Sequence, residues 1–186
     1  MSQLTATVII ATRNRPIWLS KTLDTLSGSC AQNTIVVDQS DQDFRAENRS
    51  IVEALEHVTY VDSPLDGLPS ARNRGFGMTK ADVVVFFDDD VHVFPGCVRA
   101  HIEAYDDASV GAVVGRIAEV RVRPNRMDVG NELNRFGRMR TNLWGTKGEW
   151  VNAVKGANMS FRRDLLAEIG GFDPAYRGTA YLEEVD

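Results

Sequence analysis

The first half of the chain alternates short apolar runs with stretches in which apolar residues recur every three or four positions. The apolar runs cover residues 7–11, 34–37, 58–61, 83–87 and 111–117, and the helical periodicity covers 16–26, 44–55, 69–78 and 96–106. A β-branched run without polar alternation is typical of a strand buried on both faces of a parallel sheet. Alternation of such strands with helices predicts an α/β fold with a doubly wound, mostly parallel, Rossmann-like sheet.

The ends of the first predicted helix carry sequence signals of their own. We expect Asn14 to cap this helix, because its side chain can accept a backbone hydrogen bond there. Pro16 suits the first turn, and Gly28 ends the periodic pattern. The opening of the chain is therefore predicted to be strand, loop and helix.

The second half of the chain loses this regularity. Between residues 121 and 150, arginine, glycine and asparagine replace the apolar period, and a loop of this length is usually functional or mobile. Ordered segments return at 151–154 and 156–161, followed by a short helix over 163–169 and a turn at 170–174. We predict one domain over 1–186. Because residues 182–186 look helical and lack a terminator, we expect the chain to be truncated at its C-terminus.

Composition and charge are those of a folded globular protein. Hydrophobic residues make up 43% of the 186 residues, charged residues 25%, and the net charge is -5. These values exclude a disordered chain, and an acidic protein is a poor general binder of nucleic acid. No apolar run is long enough to span a bilayer and no basic, apolar leader opens the sequence, so we expect a cytoplasmic protein. Cys30 and Cys97 lack zinc-ligand spacing and are predicted to be buried free thiols.

Three consecutive aspartates directly follow the most apolar predicted strand. Their position places them at the carboxyl edge of the sheet, where doubly wound folds bind their ligands. Side chains alternate along a strand, so Asp88 and Asp90 can share one side while Asp89 points elsewhere. Two carboxylates suit Mg²⁺ or Mn²⁺. The alternative is a solvated acidic turn, and we favour the metal site because adjacent carboxylates repel one another without a cation.

Other polar residues are predicted to reach the same edge. Asp38 ends the second strand and can accept hydrogen bonds from a ribose or a base, although a plain Asx turn explains it equally well. Arg13 and Arg15 follow the first strand, and Arg72 precedes the strand of the aspartates. Their guanidinium groups can bind a diphosphate, while solvated arginine is the alternative.

Six segments of the chain occur in an order that matches a known family. They are TRNRP at 12–16, the strand that ends in Asp38, ARNRG at 71–75, VVVFFDDD at 83–90 with Pro95 behind it, GANMSFRRDLLAEIGGFDP at 156–174, and the closing acidic cluster. In this order they resemble the family 2 glycosyltransferases with the GT-A fold, over nearly the whole chain. The resemblance implies a single-domain GT-A type α/β/α sandwich. It also implies transfer of a sugar from a nucleotide-diphosphate donor to an acceptor hydroxyl, with inversion and with Mn²⁺ or Mg²⁺ as cofactor.

The resemblance also assigns roles to residues. It implies donor contacts from Thr12, Arg13, Asp38, Arg72, Asp88, Asp89, Gly156, Ala157 and Asn158. Within this set, Thr12 and Asp38 match the contacts to the base, and Asp88 matches the contact to the ribose. Asp88 and Asp90 match the metal ligands. Glu184 occupies the position of the family's catalytic aspartate, and we expect it to be the base that deprotonates the acceptor.

The resemblance divides the chain into a nucleotide-binding half, 1–120, and an acceptor-side half, 121–186. The expected acceptor is a saccharide or a lipid-linked group, in polysaccharide or cell-envelope synthesis. We expect the protein to be cytoplasmic, and it could associate peripherally with the inner face of a membrane.

Six arginines lie in the irregular stretch: Arg121, Arg123, Arg126, Arg135, Arg138 and Arg140. They can contact an anionic acceptor, but solvated charge is the favoured interpretation. For His92, a packed or surface position is favoured over a metal ligand.

Two alternative functions stay open at this point. A catalytically silent module that binds nucleotide sugars would share the same motifs, and Glu184 in place of aspartate leaves room for it. A phosphatase of the haloacid-dehalogenase type also has an apolar strand followed by DxD. That family normally has Thr or Val where this chain has His92, and its motif lies on the first strand, so we consider it the weaker alternative.

Overall fold

The computed structural model describes residues 4–118, 132–136, 138–141, 145 and 148–176. The first half of the chain alternates strands and helices, in the order β1 (Ala6–Thr12), α1 (Pro16–Leu26), β2 (Asn33–Asp38), α2 (Gln42–Glu53), β3 (Val58–Asp62), α3 (Leu68–Gly77), β4 (Val83–Asp88) and α4 (Cys97–Ala104). The remaining elements are β5 (Ala112–Val114), β6 (Glu132–Leu133), β7 (Met139–Arg140), β8 (Asn158–Arg162) and α5 (Arg163–Glu168). The predicted α/β class is confirmed. Within the described ranges, no helix has the length and apolar character that crossing a membrane requires.

Six strands form the central sheet, in the order β3-β2-β1-β4-β8-β5. The first four run parallel, and β8 runs antiparallel to both of its neighbours. The register aligns the carboxyl ends of three strands: Thr12 lies opposite Asp38, and Ala11 lies opposite Asp88. The mostly parallel sheet was predicted, whereas the reversed direction of β8 was not. The strands β6 and β7 form a separate two-stranded ribbon.

The strands are apolar on both faces because helices cover both faces. One core cluster contains Val8, Ile10, Val36, Val85 and Phe87 with residues of α1, α2 and α4. The other contains Ile9, Ile35, Val37, Val84 and Phe86 with residues of α3 and α5. Neighbouring residues of a strand therefore fall in opposite clusters, as the alternation of side chains requires. The result is a three-layer α/β/α sandwich.

Three predictions about local structure need correction. Asn14 does not cap α1, because its φ of 58° turns the chain and the N-cap is Arg15, which makes no side-chain cap hydrogen bond. The predicted strand over 111–117 is only Ala112–Val114. Cys30 and Cys97 are free, as predicted, but both are only half-buried.

The close approach of α3 to the sheet depends on Gly75. A Cβ at this position would lie 2.6 Å from Ile9 Cγ2 and 3.2 Å from Val37 Cγ2, so even one methyl group would displace the helix from β1 and β2. We predict that Gly75→Ala lowers the free energy of unfolding by about 1–3 kcal/mol through overpacking. Urea denaturation measures this loss.

Gly77→Ala is the matched control for this prediction. Gly77 lies two residues further along α3, has no heavy atom within 4 Å of its ideal Cβ and has no positive φ. The added methyl group should therefore leave stability unchanged or raise it by up to ~1 kcal/mol through the unfolded state. Equal losses of stability in the two variants would contradict this prediction, because contact with the sheet could then not be the reason why alanine destabilises α3.

Candidate active site

The ends of β1 and β4 are joined by a buried carboxylate. Thr12 Oγ1 donates a hydrogen bond of 2.6 Å to Asp89 Oδ2, and Thr22 Oγ1 donates one of 2.9 Å to the backbone carbonyl of Asp89. Asp89 is only 5% exposed. Burial raises the pKa of Asp89, while the bond from Thr12 and the charge of Arg15 act in the opposite direction. Asp89 therefore anchors the turn that carries its two neighbours.

Arg15 is the cation nearest to this turn among the described contacts. Its Nη1 lies 3.1 Å from Asp89 Oδ1 and 3.0 Å from Asp90 Oδ2. The charge of Asp89 raises the pKa of Arg15. Arg13 and Arg15 were both predicted from this loop to bind a diphosphate, and the structure places Arg13 Nη2 3.9 Å from Asp41, with both side chains at least half exposed. From this loop, the arginine that reaches the aspartates is Arg15.

Arg72 lies on the other side of the aspartates and is almost completely buried. Its Nη2 is 3.5 Å from Asp88 Oδ1, and its guanidinium carbon is 5.5 Å from the centre of the Phe172 ring. The backbone of Gly156 closes the remaining side: a Cβ there would lie 2.5 Å from Arg72 Nη2. Gly156 is therefore needed for the close approach, and the guanidinium is held in one place.

The aromatic support under Arg72 is itself fixed by the next residue of α3. Asn73 Nδ2 donates to the carbonyl of Phe172 at 2.6 Å, and the Phe172 N–H donates to Asn73 Oδ1 at 2.9 Å. Gly171, with φ of 81°, makes room for this amide. The sequence pattern indicated a simple turn at 170–174, and neither Asn73 nor Phe172 was predicted as a site residue. Both residues lie in the matching segments 71–75 and 156–174, but only the fold shows that they are paired.

Asp38 is fully buried and its carboxylate is engaged internally. Oδ1 accepts the N–H of Ser40 at 2.8 Å, which is the Asx turn considered as the alternative. Oδ2 accepts from Asn48 Nδ2 at 3.1 Å and from the Tyr60 hydroxyl at 2.8 Å. Burial, with the bond to Asp38, raises the pKa of Tyr60 well above its usual value. The contact of Asp38 with a donor base stays a prediction, and it would require this carboxylate to exchange a partner.

Asp88 and Asp90 differ from Asp89 in facing the solvent. Their side chains are 39% and 44% exposed. In the part of the chain that the structure describes, no three His, Cys, Asp or Glu side chains converge as a metal-binding group. Two open carboxylates still suit Mg²⁺ or Mn²⁺, since such ions commonly take one or two protein carboxylates and complete their shell with water and phosphate oxygens. His92 is at the surface and packs edge-on against Phe94, as favoured.

The remaining predicted site residues divide into two groups. Gly156 lies against Arg72, and Asn158 pairs with Phe87 at the start of β8, with half-buried Ala157 between them. Glu184 lies outside the described residues, as do Arg121, Arg123 and Arg126. The other three arginines of the irregular stretch, at 135, 138 and 140, are exposed, consistent with solvated charge.

Comparison with known proteins places this geometry in a family. The model of glycosyl transferase family 2 matches residues 7–170. A glucosyl-dolichyl phosphate glucuronosyltransferase of Haloferax volcanii is 25% identical over 140 residues, covering 75% of this chain and 45% of the relative. The chain therefore spans about half the length of this curated relative.

Two solved structures are similar in fold. A mannosyltransferase from Pyrobaculum calidifontis, in complex with GDP-Man and Mn²⁺, has a TM-score of 0.70 at 20% identity and covers 94% of this chain and 49% of its own. TarS 1–349 of S. aureus, in complex with UDP, has a TM-score of 0.71 at 14% identity and covers 98% of this chain and 53% of its own. The fold is therefore that of the GT-A glycosyltransferases.

The half-buried hydrogen bond between Tyr60 and Asp38 should be measurable as a coupling energy. We predict that Tyr60→Phe lowers the free energy of unfolding by about 1–3 kcal/mol, because it leaves a buried carboxylate with one donor fewer. In an Asp38→Asn background, Tyr60→Phe should lower the free energy of unfolding by less. A double-mutant cycle should therefore show a coupling energy of at least ~0.5 kcal/mol. Strictly additive losses would contradict the bond.

Proposed function

This chain belongs to glycosyl transferase family 2, and from that premise we propose that it moves a sugar from a nucleotide-diphosphate donor to an acceptor hydroxyl, with inversion and with the help of a divalent cation. Because the chain matches this family over residues 7–170, the phosphatase is no longer an alternative function. The proposal goes further than the match, because the chain spans only about half of its relatives and the family alone does not define the donor, the metal or the stereochemistry.

The observation that carries the proposal is the meeting of opposite charges at the carboxyl edge of the sheet. Asp88 and Asp90 face the solvent at the end of β4, while Arg15 and Arg72 approach them from either side within 3.5 Å. Ligands of doubly wound folds bind at this edge. A nucleoside diphosphate bound to a cation needs both kinds of group, since carboxylates hold the cation and guanidinium groups bind phosphate oxygens.

Each of these side chains has a distinct part in binding the donor. Asp88 and Asp90 would hold the Mn²⁺ or Mg²⁺, with Asp88 also near the ribose. When bound, the cation neutralises charge on the leaving diphosphate. Arg72 cannot move far, because Gly156 and Phe172 enclose it, so it presents a fixed donor to the diphosphate. Arg15 is half exposed and can shift between Asp90 and a phosphate oxygen.

The nature of donor and acceptor follows by analogy with the relatives. One structural neighbour was solved with GDP-Man and Mn²⁺ and another with UDP, which supports a nucleoside diphosphate sugar as donor. The name of the curated relative includes a dolichyl phosphate-linked sugar, which supports a lipid-linked acceptor over a free saccharide. A lipid-linked acceptor would place the reaction at the cytoplasmic face of a membrane, with the protein bound peripherally.

Inversion requires a base, and Glu184 is our candidate. It would take the proton from the acceptor hydroxyl as that oxygen attacks the anomeric carbon. Its side chain is one methylene longer than the family's aspartate, and a displacement of ~1 Å can cost ~100-fold in rate. That difference favours the silent nucleotide-sugar-binding module as the second candidate, which would bind donors without turnover.

Binding of nucleotide and metal tests the proposal directly. We predict that UDP, GDP or dTDP raises the melting temperature only when Mn²⁺ is present, and that one of the three does so most. Saturation at ~100 times the dissociation constant adds ~2.7 kcal/mol, or a shift of about 5–10 °C for a chain of this size. Differential scanning fluorimetry with each nucleotide, with and without metal, measures the shift.

Asp90→Asn supplies the site-specific arm of the same experiment. It should abolish the metal-dependent shift and keep the melting temperature of the free protein, because the side chain is 44% exposed. Asp24→Asn, an exposed acid in α1, is the control and should retain the full shift. A normal shift in the Asp90 variant would remove this residue from the metal site, and the absence of any shift in the wild-type chain would contradict the proposed function.

A further inference from the structure

A stripe of polar side chains lies between α4 and β8, in a layer that is otherwise apolar. On the helix side, Cys97, His101 and Tyr105 are spaced four residues apart and so share one face. On the strand side, Asn158 and Ser160 are two residues apart and also share a face. His101 and Tyr105 are each 2% exposed and Ser160 is fully buried. Such burial is costly unless every polar group has a partner.

The partners form one continuous chain of hydrogen bonds. Tyr105 OH lies 2.8 Å from Ser160 Oγ, and Ser160 Oγ lies 2.8 Å from His101 Nδ1. On the other side of the ring, His101 Nε2 lies 2.7 Å from Asn158 Oδ1. Asn158 Nδ2 then donates to the backbone carbonyl of Arg116 at 3.1 Å. This network of hydrogen bonds thus extends from α4 through β8 to the backbone that follows β5.

The backbone carbonyl of Arg116, at the end of this hydrogen-bond network, fixes the direction of the bonds in it. The carbonyl of Arg116 can only accept, so the Asn158 amide must turn its NH₂ towards it and its oxygen towards His101. An amide oxygen also only accepts, so His101 carries a proton on Nε2, and the neutral ring then accepts from Ser160 on Nδ1. Burial lowers the pKa of His101, in keeping with the neutral ring that this arrangement requires. The side chains that contact the ring are Ser160, Asn158 and, edge-on, Phe87, all uncharged.

Asn158 is a junction between the network and the candidate site. Its backbone N–H donates to the carbonyl of Lys155 at 3.1 Å, and its carbonyl accepts from the N–H of Gly115 at 2.9 Å. These bonds close the loop 155–158, which contains Gly156. The same Gly156 lies against the guanidinium of Arg72, which contacts Asp88. A displacement of Asn158 would therefore change the backbone that confines the guanidinium of Arg72.

We propose that His101 is a positioning residue of the donor site: its Nε2–H holds Asn158, and through Asn158 it keeps loop 155–158 pressed against Arg72. The inference rests on the proposed function, since it concerns the affinity for a nucleoside diphosphate. His101 itself touches no donor. It acts by fixing a backbone segment, and a displacement of that segment would weaken binding without unfolding the protein.

Two substitutions of His101 separate positioning from simple core packing. The amide nitrogen of glutamine reaches as far as histidine Nε2, whereas the amide of asparagine reaches only as far as Nδ1. His101→Gln therefore keeps the bond to Asn158, and His101→Asn keeps the bond to Ser160 and loses the one to Asn158. Both variants are uncharged and leave space in the same core position, so each is the other's control for stability.

The experiment is calorimetric titration of wild-type, H101Q and H101N protein with UDP and with GDP, each in the presence of Mn²⁺. H101Q should bind within about twofold of wild type, and H101N should bind about tenfold more weakly, at similar melting temperatures. Equal affinities of the two variants would overturn the proposal and leave the proposed function intact. The absence of binding in the wild type would instead overturn the proposed function, and this inference with it.

Imidazole nitrogen NMR of the wild-type protein tests the network without any variant or nucleotide. His101 should show a protonated Nε2 and an unprotonated Nδ1 at pH 7. A proton on Nδ1 with none on Nε2 would overturn the proposal, because the ring could then not donate to Asn158. This measurement can therefore overturn the proposal even if H101N fails to fold.

Discussion

A carboxylate that is buried at the edge of a sheet must be hydrogen-bonded, and the rest of the site depends on how Asp89 meets this requirement. Its partner from β1 is the hydroxyl of Thr12, and its partner from the following loop is Arg15. The hydroxyl of Thr22 holds its backbone carbonyl from α1. Three segments are thereby tied to one turn. With Asp89 anchored inwards, the acids on either side of it are left facing the solvent.

One charge of the same edge, the guanidinium of Arg72, is held in place before any ligand binds. Arg72 is enclosed by glycine backbone on one side and an aromatic ring on the other, and the ring is fixed by two hydrogen bonds to Asn73. Pre-ordering a cation in this way lowers the entropy lost on binding an anion. The polar stripe between α4 and β8 contributes to this pre-ordering, since its hydrogen bonds fix the backbone of loop 155–158, which confines Arg72.

Much of the fold was readable from sequence because buried parallel strands have a simple signature. The apolar runs at 34–37 and 83–87 became β2 and β4, and the acids that follow them lie at the expected edge. The direction of β8 was not readable, since it depends on the path of a long irregular connection. Asn14 also misled, because its left-handed backbone turns the loop and Arg15, rather than Asn14, is the N-cap of α1. The link from His101 to Asn158 joins residues 57 positions apart, and no local pattern records it.

The central claim is that a divalent cation and a nucleoside diphosphate bind together at the carboxyl ends of β1 and β4. Paramagnetic broadening tests it most directly: Mn²⁺ is titrated into ¹⁵N-labelled protein with saturating nucleotide, and the loss of each backbone amide signal is followed. Signals of Thr12, Arg15 and Asp88–Asp90 should be lost first, while those of Val52 and Ile102 persist. Broadening centred on another part of the molecule, or spread evenly over it, would contradict binding at this edge.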